Sequence, residues 1–309
     1  MATSGSTDFT LTRDNIITAA LRKLRVVDPN QTANANDITT GAQILNLMVK
    51  AWQMDGVSMW LNQEAVLHLA EDGQTYDLGS TGDNFCALTD AGKTQLSAAS
   101  AASDTTLEVD SDGNAADGDY IGIELDDGSL EWTTINGTPA SDVITITTGL
   151  TSAAAIDNYV FYYTTKLTRP VEILEARIRD VDNNDEPLNV VRSIEEFMSI
   201  TDKTSSGDAT DIYLIPTITN SKLYVWPVCD DVTKRIVMTI RRVIEDFDAA
   251  ANNADIPVEC LDAVIWNLAL KMAPEYTKFT PPDIKENAMI SYDIMKRFYK
   301  NKEPIQFHP

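Results

Sequence analysis

Apolar residues recur at two different periods along this chain, and the change of period divides it into regions. Near the start, Ile17, Leu21 and Leu24 share one face of a helix that Thr12 and Asp14 open and the Asp28–Pro29 pair stops. Ile38, Ala42, Leu45, Val49 and Trp52 keep the same spacing in a second helix, with Asn36 or Asp37 as its cap and Gly56 suited to a left-handed exit. Far downstream, Val258, Leu261, Ile265, Leu268 and Met272 make a third stripe, opened by Asp255 and Pro257 and closed near Pro274. Trp266 and Leu270 lie off that stripe among Glu259, Asp262, Asn267 and Lys271, so this helix has two faces to pack. Thr280 and Pro281 start a last helix that runs to about Lys300.

Between these helices the period shortens to two. AVLHLAEDGQTYDL reads as a hairpin turning at EDG, and ILEARI, LNVV, DIYLI, KLYVWPV and RIVMTIRRV alternate as half-buried strands. Ser193 and Glu196 form an S-x-x-E capping box for one short helix carrying Phe197, Met198 and Ile200. From Asn84 to Thr165 the runs TLEV, YIGIEL, LEWTTI, VITIT and YVFYY are cut by DGD, DDG and NGT turns, the pattern of a small all-β module. TYDLGST before this module and TTKLTRPVEIL after it read as two pieces of one host. The expected fold is therefore α+β: a helical host domain with a β-sheet portion, residues 1–83 and 166–309, carrying an inserted all-β module at 84–165.

Charge sharpens the boundary. The 309 residues hold 47 acidic and 24 basic side chains, a net charge of -23, and the 84–165 stretch holds thirteen acids and one base, Lys93. Such a balance argues against a broad surface gripping phosphate backbones. MATSGSTDFT shows neither a charged leader nor an apolar run, and no stretch reaches the length of a membrane span, so the expectation is a protein made in a cytoplasm with no membrane partner. Cys86, Cys229 and Cys260 are odd in number, far apart and outside any CxxC pair, which suits free thiols.

Chemistry-bearing motifs are scarce. His68 falls in a strand and His308 next to the end, a poor basis for a triad or a metal site. Phosphate-cradling glycine loops and a serine elbow are absent. In DSDGNAADGD, Asp110, Asp112 and Asn114 match the first ligands of a calcium loop, but Ala115 and Ile121 replace the glycine and the bidentate glutamate, so the expectation is a solvated turn. No catalytic residue, metal ligand or cofactor is expected. Arg22, Lys23 and Arg25, and likewise Lys296, Arg297, Lys300 and Lys302, suit the negative ends of helix dipoles and are also the candidates for polar docking. Trp226 fits a sheet core better than a sugar platform.

The order of these parts resembles the head-to-tail adaptor proteins of short-tailed bacteriophages, also called tail accessory or packaged-DNA stabilisation proteins. The resemblance rests on the N-terminal helices ending WQMDGVSMW, then TRPVEILEARI, SIEEFMSITDK, DIYLIP, LYVWPV and DIPVECLDAVIWNLALKMAPEY, over residues 8–83 and 166–300. The 84–165 insertion departs from the compact form of that family. The resemblance implies a virion protein at the head-tail junction, a homo-oligomeric ring of about twelve subunits. Its implied partners are the portal protein, the next tail component (a nozzle or tail tube) and double-stranded DNA that passes through the channel without specific binding. Trp266 and Leu270 would then meet the neighbouring subunit, and Lys300, Lys302, Ile305 and Phe307 would dock on the portal. An alternative expectation is a decoration or glycan-binding protein acting through Tyr120, Trp132 and Tyr159 of the 84–165 module, and a carboxylate-pair cell-wall hydrolase is the remaining rival.

Overall fold

The computed structural model describes residues 5, 9–55, 61–88, 92–276 and 280–300, the last two of these by backbone alone. Its helices are α1 (Arg13–Lys23), α2 (Ala35–Met54), α3 (Ile194–Met198), α4 (Leu261–Tyr276) and α5 (Pro282–Lys300). Its strands begin with β1 (Asn62–His68), β2 (Thr75–Leu78), β3 (Cys86–Ala87), β4 (Gly92–Gln95), β5 (Thr106–Glu108), β6 (Tyr120–Glu124) and β7 (Leu130–Thr134). They continue with β8 (Val143–Thr145), β9 (Tyr159–Tyr163), β10 (Pro170–Arg179), β11 (Asp185–Val190), β12 (Asp211–Pro216), β13 (Ser221–Trp226) and β14 (Arg235–Arg242). The chain divides into two compact units, one of residues 1–61 with 244–309 and one of residues 62–243.

The expected helical host domain with an inserted β module is overturned. Strands hold 31% of the chain against 26% for helices, and the dominant element is a large, nearly closed, barrel-like sheet. Its eight strands run in the order β2-β13-β12-β11-β10-β14-β1-β3. The alternation in RIVMTIRRV and AVLHL marks each as a strand, but says nothing of their pairing with each other. In the structure β1 and β14 pair antiparallel from Asn62↔Arg241 to His68↔Arg235, joining segments read separately into one wall. Only the β11–β12 pair of this sheet is parallel. Ala65, Leu67, Ile236, Met238 and Ile240 turn to its inner core, while Val66 and Val237 on the opposite face are covered by Tyr163 and Trp132.

Residues 92–163 form a second, smaller closure. Two antiparallel pairings join β4 to β9 and β9 to β6, and a third joins β6 to β7. The Ile135↔Ile146 bridge carries β7 on to β8, β8 pairs β5, and the Leu96↔Val109 bridge returns β5 to β4. Six strands thus close a barrel around Leu96, Leu107, Val109, Ile121, Ile123, Ile144, Ile146 and Val160. Closure removes the free sheet edges that would otherwise template pairing with another chain. The segment leaves and rejoins the large sheet side by side, through the Ala87↔Lys166 bridge.

The helical unit packs around α4, which contacts α1, α2 and α5. Leu261, Val264, Leu268, Ala269 and Met272 line its buried side, whereas Val258, placed in the expected stripe, is 42% exposed in a 3-10 turn (Val258–Cys260) ahead of the helix. α4 runs past Pro274 to Tyr276. Gly41 lets α2 approach closely, because a Cβ there would meet Ile17 Cγ2 at 2.4 Å and Met272 Cε at 3.3 Å. The cap of α2 is Asn34, whose side chain accepts from Asn36 N at 3.2 Å, ahead of the expected Asn36 or Asp37; Gly56 lies outside the described residues. Ser193 caps α3 as expected, but its hydroxyl engages Glu195 and not Glu196.

Candidate interaction surfaces

The second face of α4 is partly accounted for within its own unit. Trp266 and Leu270 are half-buried against the helical core, and Lys23 Nζ sits 4.2 Å from the Trp266 ring centroid, a cation over an aromatic face. On the α5 side, Asn267 Nδ2 donates to the Ala288 carbonyl at 3.0 Å and to its own helix at Ala263, 2.9 Å away. The helix is two-sided because α1 and α5 flank it, and what remains of Trp266 and Leu270 faces solvent.

Tyr120, Trp132 and Tyr159 sit where the small barrel meets the large sheet or its neighbouring lysines. Tyr120 stacks on Tyr163 at 5.1 Å, with Lys166 Nζ 5.5 Å from its own ring. Trp132 packs against His68 at 5.2 Å, Tyr163 at 5.4 Å and Phe85 at 6.0 Å. Tyr159 stacks on Phe161, which also meets the fully buried His68 ring at 4.9 Å. Lys93, the one base of the 84–165 stretch, donates to the Val181 carbonyl and lies 5.6 Å from the Tyr159 ring. Lys302, Ile305 and Phe307 lie outside the described residues, as does the side chain of Lys300.

Two rows that the sequence reading did not single out are exposed apolar features of the helical unit. On α2, Leu47 is 73% and Met54 92% exposed, with exposed Ala51 between them. On α5, Ile290 and Ile294 stand one turn apart and 50% and 63% exposed, beside Met289. They lie opposite the buried Ile284, Ala288 and Met295. The signal was present in the spacing: Ile290 and Ile294 are four apart on a helix whose apolar face is already supplied by those three residues.

Near these rows Asp55 ties the end of α2 to α5. It accepts from Lys296 Nζ at 2.7 Å and from Tyr292 Oη at 2.5 Å, and these bonds hold its carboxyl below the usual carboxylate range. Tyr292 also packs on Trp52 at 5.2 Å. Burial, reinforced by the hydrogen bond to Asp37, pushes the Tyr276 hydroxyl up to about 12.

The acids of the small barrel serve its turns. Asp104 accepts from Ala101 N, Asp117 from Gly137 N, Asp119 from Ala116 N, Glu124 from Tyr159 N and Asp126 from Ala155 N. Glu131 takes both the N–H and the hydroxyl of Thr151. In the DSDGNAADGD loop, Asp112 N donates to Asp142 and Gly113 N to Ser111, a turn held by its own polar groups. A hollow lined by Asp180, Glu186, Asp208 and Lys234 likewise has charges already engaged, with Lys234 2.5 Å from Asp208 and Asp180 accepting from Asn184. Among the described residues no group of three or more His, Cys, Asp or Glu side chains is placed to hold a metal ion. No described helix is long and apolar enough to cross a membrane. No family model matches this chain, and no curated protein matches it in sequence.

Proposed function

We propose that this chain is a structural ring protein of a short-tailed phage virion, an adaptor at the head-tail junction. In this reading it binds the portal, extends the DNA channel, helps retain packaged DNA and offers a platform to the next tail component. The observation that carries it is the pair of uncovered apolar rows on α2 and α5. A ring is closed by heterologous contacts, in which two different patches of one subunit meet their complements on its neighbours, so a ring subunit needs two such surfaces and not one self-complementary patch. Neighbouring exposed apolar side chains on α2 and α5 offer two such surfaces. The order of the sequence motifs supports the same reading, and the acidic balance suits a channel through which DNA slides.

The test replaces Ile290 and Ile294 by Asp in one variant. Both positions are half-exposed or more, so the subunit should fold with little loss, while each lost apolar anchor should cost about 2 kcal/mol of association. Native mass spectrometry of the chain added to portal rings should show wild type assembled and the variant unbound, with melting temperatures within a few degrees. Equal assembly of the two proteins would remove the α5 row from the account.

A further inference from the structure

Arg25 stands where helix ends ordinarily place glycine. α1 closes in a Schellman turn, with Val26 N–H donating to the Leu21 carbonyl at 3.1 Å and Arg25 N–H to the Arg22 carbonyl at 3.0 Å. Arg25 occupies the left-handed position of that turn at φ 59°. A side chain there is strained and glycine is not, so arginine runs against the local preference. The helix dipole explains Arg22 and Lys23 in the last turn; it does not explain a residue beyond the end that bears backbone strain.

The surroundings give the cation a use. Several other cations pair within the chain, as in Lys50–Asp246, Arg179–Asp185, Lys234–Asp208 and Lys296–Asp55. Arg22 and Arg25 are exposed and have no ion pair among the described residues, although the protein holds about two acids for each base. Lys23 lies over the half-buried Trp266 ring, so the end of α1 carries three exposed cations, one of them seated on an aromatic. The complement is on the same chain: residues 62–243 hold 31 acidic and 12 basic side chains.

We propose that the cationic end of α1 docks on the acidic 62–243 unit of a second copy of this chain, an inference that rests on the ring reading above. Copies of net charge -23 repel one another, and local cation-to-acid contacts offset that repulsion where subunits meet. The second copy is a better occupant than a nucleic acid. A duplex brings only phosphates to a molecule whose overall field opposes them, whereas a copy brings acids with their own apolar surroundings.

Arg25→Gly separates contact from folding. It relieves the backbone, so the variant should melt at or above the wild-type temperature, yet assembly on portal rings should weaken about tenfold at low salt, with the difference shrinking above about 0.5 M as ions screen the contact. Carbodiimide coupling in a mixture of 14N- and 15N-labelled chains should join Lys23 to acids of 62–243 in mixed-label peptides. Unchanged assembly of Arg25→Gly, or Lys23 links confined to single-label peptides, would overturn the proposal. So would a variant that loses binding to a 30-base-pair duplex but assembles normally. Wild-type chains that form no ring on the portal would instead defeat the ring reading itself.

Discussion

At the scale of single residues the structure turns several sequence features into definite environments. Cys86, Cys229 and Cys260 are buried, and burial pushes the Cys229 thiol up to about 12. Asp55 offers the cleanest titration. Its folded carboxyl is held low by the Lys296 hydrogen bond first and the Tyr292 bond second, so the folded state binds the proton less readily than the unfolded chain. The stabilisation is therefore complete above about pH 4 and fades as pH falls through the lowered folded value. Asp55→Asn should melt below wild type at pH 7, and the gap should be smaller in thermal scans run at a pH below about 4. A gap of equal size at both pH values would show that the Lys296 and Tyr292 contacts do not act through the carboxylate charge. None of this was legible beforehand, because Asp55 is 237 residues from Tyr292 and no local pattern announces such a partner.

At the scale of elements, periodicity located the helices and most strands, and failed where a decision needed a partner. α1 and α2 follow their apolar spacing closely, and α5 spans Pro282–Lys300, close to the bounds expected from Thr280, Pro281 and Lys300. Of the stripe assigned to α4, Leu261, Leu268 and Met272 are buried and Ile265 is half-buried against the same core, whereas Val258 is exposed and Val264 and Ala269 join the buried side. Gly41 is likewise a contact point that its helical pattern alone did not mark. Gly41→Val should place a branched side chain into Ile17 and Met272 and destabilise the helical unit by about 1–3 kcal/mol, measured by urea unfolding. An unchanged midpoint would mean that α2 is free to shift away from α1 and α4. The aromatics of YIGIEL, LEWTTI and YVFYY looked available on an isolated module. Tyr120, Trp132 and Tyr159 pack instead along the joint with the large sheet, and the hydrophobic faces they meet come from distant strands that alternation cannot pair.

For the whole molecule, the β content was underestimated because strands from 62–78 and 170–242 close on each other through long-range pairings, and each looked like an accessory to the helices when read locally. The acidity was read correctly in amount and place but not in use, since many carboxylates of the small barrel accept N–H groups of its own turns. The central claim is that the helical unit, built from both ends of the chain, carries the contacts of a ring. Electron microscopy of the purified chain mixed with portal rings of the same virion tests that claim most directly. The account predicts a second ring of this chain, coaxial with the portal and one subunit thick, with the α2 and α5 rows at its subunit boundaries. Bare portal rings beside monomeric chain would contradict it.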